Sequence, residues 1–131
     1  MLIGEVADRA GVPRQTIRFY ERHGLLPPPQ RESNGYRHYN DAVVTRLQFI
    51  KAAQAAGLTL SDIRSIIGLR DAGETPCTHV STLLEHQLDS VRARQRELSA
   101  LEAELHQLLN RSRNLDPRDC SEEGICQILL P

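Results

Sequence analysis

The chain has 131 residues, the length of about one domain. Hydrophobic residues make up 40% of it and charged residues 25%, which excludes long disorder, and the 4% of aromatic residues disfavours a β-sandwich or barrel. No apolar run is long enough for a membrane span, and no secretory signal is visible. Three cysteines form a poor disulfide framework, so we expect a cytoplasmic protein with reduced thiols and no membrane partner.

The net charge of −1 hides an asymmetry along the chain. Residues 1–51 carry eight Lys and Arg against five Asp and Glu, whereas residues 52–131 carry eight against twelve. Fifteen of the sixteen basic residues are Arg, whose planar fork suits phosphates and guanine edges. The basic front half indicates a nucleic-acid surface there and a different role for the rest.

The first 25 residues predict two short helices around a tight turn. Apolar residues recur at helical spacing from Ile3 to Ala10, and Gly11 breaks the pattern. A second helical run starts at Pro13 and stops at Gly24. Two short helices joined by a turn that contains glycine are typical of a helix-turn-helix.

Three further elements follow before residue 76. Asn34-Gly35 is a strong hairpin signal, so the stretch from Arg31 to Tyr39 is a candidate wing. A third helix is predicted from about Asp41 to Ala56. A Thr-x-x-Asp capping box at 59–62 predicts the start of a fourth.

One long helix is predicted from roughly His79 to Asn110, because this stretch lacks Pro and Gly; it would be on the order of 48 Å long. Apolar residues step along it mostly by three and four: Val80, Leu84, Leu88, Val91, Leu98, Leu101, Leu105 and Leu108. Such a stripe implies a partner, most simply the same helix of a second subunit, the alternative being that it folds back on its own N-terminal domain. The expected domains are 1–75 for DNA binding, 76–111 for dimerisation and 112–131 for a metal-binding loop and tail.

Three stretches carry a family resemblance: IGEVA at 3–7, TIRFYERHGLL at 16–26 and NGYRHY at 34–39. With them the chain resembles the mercury-resistance (MerR) family of transcriptional regulators over its whole length. The resemblance implies a mainly α fold, in which a winged helix-turn-helix is followed by a long antiparallel coiled-coil dimerisation helix and a short C-terminal metal-binding loop. It also implies a regulator and not an enzyme.

The resemblance carries DNA-binding roles onto particular positions. Arg18 and Tyr20 match recognition-helix residues that meet DNA, and Tyr36 and Arg37 match wing residues that hold the phosphate backbone. The chemistry agrees, since guanidinium and hydroxyl groups suit both base edges and phosphates. Three further contacts are expected at Gln15, Thr16 and Arg31.

The three cysteines are Cys77, just before the predicted long helix, and Cys120 and Cys126 after it. They cannot share an ion within one chain unless the chain folds back, whereas in an antiparallel dimer each helix start lies beside the partner's helix end. Three thiolates suit Hg²⁺, Pb²⁺, Cd²⁺, Zn²⁺ or Cu⁺. The family resemblance favours divalent ions, since its copper, silver and gold sensors carry Ser at the position of Cys77.

A fourth ligand is expected for Zn²⁺ or Cd²⁺, whereas a trigonal thiolate site suits Hg²⁺ or Pb²⁺. His79 is the first candidate for that ligand, followed by Asp119 and Glu122. The five-residue interval between Cys120 and Cys126 is shorter than in the mercury regulator itself, which leaves the choice of metal open.

The predicted function is a metal-responsive regulator that binds double-stranded promoter DNA as a homodimer. In the family, the activated dimer bends and untwists the promoter so that RNA polymerase engages both of its elements, and the expected targets are metal-resistance or efflux genes. One alternative is a thiol redox regulator that uses Cys120 and Cys126 as a reversible pair. A more distant one is a thiol enzyme with Cys77 as nucleophile and His79 or His86 as base.

Overall fold

The computed structural model describes residues 1–31, 33–120 and 122–130. Glu32 of the predicted hairpin, and Ser121 and Pro131 of the predicted metal-binding loop, lie outside these ranges. In chain order the elements are α1 (Ile3–Ala10), α2 (Arg14–Arg22), β1 (Gln30–Arg31), β2 (Arg37–His38), α3 (Asp41–Ala55), α4 (Leu60–Asp71), α5 (Cys77–Asn114) and one 3-10 turn at Pro117–Asp119. The chain divides into two compact units, Met1–Gln87 and the residues from Leu88 onward.

The first unit encloses a single apolar core built by α1, α2, α3 and α4. Each fully buried side chain stabilises the unit by about 1.5–3 kcal/mol relative to leaving it in water. The largest of these side chains are Val6, Ile17, Leu25, Leu47, Ile50 and Ile63. The core thereby fixes α2 against α1 and α3, and the predicted helix-turn-helix is confirmed.

The predicted wing is a two-stranded antiparallel hairpin in which Gln30 pairs with His38 and Arg31 with Arg37. Within its loop the Asn34 side chain accepts a hydrogen bond from the backbone of Tyr36 at 3.1 Å. Gly35 has a φ of +84°, a conformation that residues with a Cβ rarely adopt. The Asn-Gly signal therefore marks the turn correctly.

Side-chain caps set the starts of α3 and α4. The Asn40 side chain accepts from the backbone of Val43 at 3.3 Å. The predicted capping box is present in full: Thr59 Oγ1 accepts from the Asp62 backbone, and Asp62 Oδ2 accepts from the Thr59 backbone, both at 3.1 Å. These caps satisfy amide groups that the helix itself leaves unpaired.

Helix α5 is longer at both ends than the sequence predicted. It begins at Cys77 because the Pro76 carbonyl already accepts a helical hydrogen bond from Val80, at 2.9 Å. It runs on to Asn114, since Pro117 is the first residue that breaks the helix. Its 38 residues would span about 57 Å. Cys77 is thus part of the helix, not of the segment before it.

The first turns of α5 belong to the first unit. Val80 and Leu83 pack against the core. The Gln87 amide lies so close to Gly57 that a Cβ there would collide with it, and Gly57 also has a φ of +84°. The α3–α4 turn therefore needs glycine for its backbone conformation, whereas the Gln87 side chain could shift to admit a Cβ.

In the second unit, α5 carries an exposed apolar stripe and ends in a short loop. No α5 residue is buried. Of the predicted stripe, Val80 packs against the core and Leu108 is half-buried. The exposed apolar residues of the stripe are Leu84, Leu88, Val91, Leu98, Leu101, Leu105 and, in addition to those predicted, Leu109, each exposed by 42–65%. Among these exposed residues, Leu84 belongs to the first unit and the others to the second. Among the described residues, no helix combines the length and the apolar character that crossing a membrane requires.

Candidate nucleic-acid interface and metal ligands

Helix α2 presents one polar face to solvent and one apolar face to the core. Gln15 and Arg18 are exposed, Thr16 is half-buried, and Ile17 is completely buried. No side chain in the described part of the chain pairs with the Arg18 guanidinium, whose donors are therefore directed to solvent. This face has the donors and acceptors that base edges in a major groove require.

Tyr20 does not project from that face, and this part of the prediction is wrong. Its side chain is 6% exposed, and its hydroxyl donates to Gln54 Oε1 on α3 at 2.8 Å. Residues two apart on a helix are rotated by about 200° around its axis, so their side chains point about 160° apart, and Arg18 and Tyr20 lie on opposite sides of α2. Tyr20 lies one turn from Ile17, and both side chains hold α2 to the core.

The two wing residues predicted to hold phosphate differ in their surroundings. Tyr36 is 65% exposed, so its hydroxyl is available to a partner. Arg37 is half-buried, and its Nη1 donates to Glu21 Oε2 of α2 at 3.1 Å. A guanidinium has five N–H donors, so this ion pair leaves others for an external anion.

Glu21 connects α2 to the wing through both of its oxygens. Its side chain is only 8% exposed, and Oε1 accepts from the Tyr39 hydroxyl at 2.5 Å while Oε2 accepts from Arg37. Burial, followed by the hydrogen bond and the charge of Glu21, raises the pKa of Tyr39 to about 12, although Arg37 acts in the opposite direction. The carboxylate thus neutralises one wing arginine and fixes the wing against the helix that carries Arg18.

A surface recess joins the start of α1, α2 and the wing. Its basic lining residues are Arg14, Arg18 and Arg37, and its acidic ones are Glu5 and Asp8. Arg14 was not among the predicted contacts. Its guanidinium lies close to Gly4: a Cβ at that position would be only 2.6 Å from Nη2, so a larger residue there would displace the end of the Arg14 side chain.

Arg31 is exposed on β1, directly opposite Arg37 on β2. Like charges at paired positions of a hairpin destabilise it. Glu21 offsets only the Arg37 charge. In the described part of the chain Arg31 forms no ion pair, so its guanidinium is available to an external anion such as a phosphate.

The three thiols lie at separate places in the chain. Cys77 is exposed at the first residue of α5, Cys120 is exposed and Cys126 is half-buried, and all three are free. The described residues of a single chain contain no group of three His, Cys, Asp or Glu side chains able to hold a metal ion.

The loop after α5 brings Cys120 towards Cys126. The Cys120 thiol contacts the Ile125 carbonyl at 3.9 Å, directly before Cys126. Arg111 on α5 holds the same loop by donating to the Ile128 carbonyl at 2.7 Å. Two thiols in one loop are soft donors of the kind that thiophilic ions prefer.

The candidate fourth ligands differ in availability. His79 is half-buried, and its Nε2 lies 2.8 Å from Ser65 Oγ on α4, which leaves Nδ1 without this contact. Asp119 and Glu122 are exposed in the loop that carries Cys120. Ser65 is thus a hydrogen-bond partner of His79, which the sequence pattern does not predict.

Comparison with known proteins agrees with the helix-turn-helix. Residues 1–69 match the model of the MerR HTH family regulatory protein, and residues 44–108 match that of the MerR DNA-binding region. The chain is 38% identical over 119 residues to the mercuric resistance operon regulatory protein of Bacillus cereus, a match that covers 90% of each chain.

Solved structures agree as well. A transcription regulator from Ralstonia metallidurans, crystallised in complex with lead(II), superposes with a TM-score of 0.76 at 40% identity, over 92% of this chain and 94% of that one. A MerR family regulator that lacks the sensor domain, HiNmlR bound to promoter DNA, superposes with a TM-score of 0.59 at 26% identity, over 82% and 84%. The chain belongs to the MerR family of helix-turn-helix regulators, which are DNA-binding proteins and not enzymes.

Proposed function

We propose that this chain is a metal-responsive transcriptional regulator that binds promoter DNA as a homodimer. In this proposal a divalent soft metal ion makes the dimer distort the DNA and activate metal-resistance or efflux genes. The observation that carries the proposal is the placement of the thiols, with Cys77 at the first residue of α5 and Cys120 and Cys126 in the loop beyond its end. The names of the mercuric resistance regulator and of the lead(II)-bound regulator support a soft metal as the effector.

The proposed DNA contacts divide between α2 and the wing. Arg18, with Gln15 and Thr16 beside it, enters the major groove and reads base edges, where bidentate arginine contacts discriminate by about 1–3 kcal/mol each. Tyr36, together with Arg31 and the free donors of Arg37, holds the phosphate backbone. Arg14 adds a cation to the recess between the two groups.

The proposed dimer forms along the apolar stripe of α5. Its members are roughly half exposed and follow one helix mostly at spacings of three and four, the pattern that packs against another helix. In an antiparallel pair, Cys77 of one subunit lies beside the loop of its partner. Each dimer then contains two equivalent sites, because the same contact occurs at both ends.

The proposed metal ligands are Cys77 from one subunit and Cys120 and Cys126 from the other. Their thiols must lose protons to bind, and three thiolates favour soft ions with trigonal coordination, such as Hg²⁺ or Pb²⁺. Zn²⁺ or Cd²⁺ would take a fourth ligand. Asp119 and Glu122 are free to supply it, whereas His79 must use Nδ1 or give up its contact with Ser65.

Bound metal would select a conformation of the dimer that bends and untwists the promoter. Such a deformation of the DNA costs about 1–6 kcal/mol by elastic estimates. A ligand shifts an equilibrium only by its difference in affinity for the two states, so the ion must bind the distorting state correspondingly more tightly. RNA polymerase then engages both promoter elements.

A heterodimer tests the shared site. One subunit carries Cys77→Ser and the other carries both Cys120→Ser and Cys126→Ser. If sites form between subunits, one site keeps all three thiols, and the purified heterodimer binds one ion with near-wild-type affinity while both mutant homodimers bind weakly. If the heterodimer has no tight site, the shared-site proposal is wrong.

Peroxide distinguishes the redox alternative. DNA-distortion assays compare metal with peroxide on the reduced protein, and Cys77→Ser serves as the informative variant. The metal proposal expects a response to metal that Cys77→Ser abolishes. A response to peroxide without metal that survives Cys77→Ser but not Cys120→Ser would instead indicate a redox pair.

A further inference from the structure

We propose that α4 links the first turn of α5 to the end of α2 through two adjacent side chains, Arg64 and Ser65. The inference rests on the proposed function, because it assigns the route by which a metal ion at Cys77 acts on the helix that carries Arg18. Each end of the route is a hydrogen bond within the first unit, and α4 is the rigid piece between them.

At one end of the route, Arg64 holds the C-terminal end of α2. Its Nη2 and Nε both donate to the His23 carbonyl, at 2.9 Å and 3.3 Å. His23 caps α2, so its carbonyl is among those that the helix leaves unpaired at its partially negative end. Two N–H groups on one oxygen restrict both the position and the direction of the guanidinium, and the end of α2 is thereby tied to α4.

At the other end of the route, Ser65 holds the first turn of α5. Its Oγ donates to the Asp62 carbonyl at 2.6 Å and lies 2.8 Å from His79 Nε2. A hydroxyl has one proton, and here the Asp62 carbonyl receives it. The remaining contact is therefore a hydrogen bond from His79 Nε2–H to Ser65. His79 is two residues from Cys77 on the same helix, so a shift of Cys77 moves this bond directly.

Helix α4 is suited to transmit such a shift. Its apolar side chains Ile63, Ile66 and Ile67 are all buried, so packing against the core fixes which face of α4 carries Arg64 and Ser65. Val80 and Leu83 of α5 pack on the core through apolar contacts, which have no directional preference. The hydrogen bonds of Arg64 and Ser65 are directional.

The test uses an operator with a fluorescent adenine analogue at its centre and Hg²⁺ alone as the effector, with Pb²⁺ as a second probe. The variants are Ser65→Ala, Arg64→Gln and the double variant, with Ser65→Thr as the conservative replacement. Matched controls are Ser81→Ala on the exposed side of α5 and Arg70→Gln on α4. Metal affinity of the free protein and operator affinity without metal are measured alongside.

We expect Ser65→Ala and Arg64→Gln each to reduce the metal-induced fluorescence change about threefold to tenfold, the loss typical of one hydrogen bond. Both affinities should stay within about twofold of wild type, and the controls and Ser65→Thr should respond normally. The fluorescence response of the double variant should be no smaller than that of the more affected single variant. Breaking either of two links in series already interrupts the route, so the two losses do not add. If Ser65→Ala does not fold, Arg64→Gln carries the test alone.

Several results would overturn the link. Both variants could respond like wild type, their losses could add in the double variant, or metal affinity could fall together with the response, which would place Ser65 at the metal site itself. A wild-type protein that binds Hg²⁺ and Pb²⁺ without any change at the operator centre would refute the proposed function, and the link with it.

Discussion

Replacing Tyr20 by Phe separates a core role from a DNA-contact role at this position. The ring stays in the core, and only the hydrogen bond from its hydroxyl to Gln54 Oε1 is lost. Gln54 is exposed, so its oxygen regains water, and the cost in unfolding free energy should be about 0.5–1.5 kcal/mol. Operator discrimination should change less than about twofold, whereas loss of a base contact would cost about 1–3 kcal/mol.

The assay pairs urea unfolding at a fixed protein concentration with titrations of operator and random DNA. A fixed concentration is needed because association contributes to apparent stability. Tyr36→Phe is the matched control: its hydroxyl is exposed, so stability should stay within about 0.5 kcal/mol while affinity for both DNAs falls. Unchanged stability together with a tenfold loss of operator discrimination in Tyr20→Phe would refute the assignment of Tyr20 to the core.

Arg18→Ala should reduce discrimination between operator and random DNA, and equal weakening of both in binding titrations would contradict base reading. Tyr36→Ala and Arg37→Ala should instead weaken both DNAs alike, and Arg37→Ala should also lower stability because it leaves Glu21 without its ion pair. Saturating metal should change footprints at the operator centre more than it changes operator affinity, and metal-driven dissociation would indicate simple derepression instead. The stability that Tyr39 contributes should be complete below pH 10 and fall as pH rises towards about 12, since folding favours the neutral phenol; ultraviolet titration should show a late tyrosinate that Tyr39→Phe removes.

Local signals predicted the elements well, because each depends on neighbouring residues. The capping box at Thr59, the Asn-Gly turn and the glycine after α1 act within a few positions, and all three function in the structure as predicted. The long helix was predicted too short, because no local signal stops it before Pro117.

The site was harder to predict, because its pairings join residues far apart in the chain. Glu21 is 16 positions from its partner Arg37 in the wing, and Arg64 is 41 positions from His23. The spacing of apolar residues along the sequence does not predict contacts between residues so far apart. Tyr20 is different, since a three-residue spacing from Ile17 places the two side chains on the same side of a helix. At this position the prediction of a DNA contact follows the family resemblance, and the helical spacing points instead to the core.

The double anchorage of the wing on Glu21 has a consequence for how operators are selected. Because Arg37 and Tyr39 are both hydrogen-bonded to Glu21 on the helix that carries Arg18, the spacing between the groups proposed to read the groove and those proposed to hold phosphate is set before DNA binds. When the protein surface is fixed in advance, the DNA must deform to fit it. The stiffness of DNA varies from one base step to the next. Base pairs that no side chain touches should therefore influence affinity, and flexible pyrimidine–purine steps should be favoured where the duplex must yield.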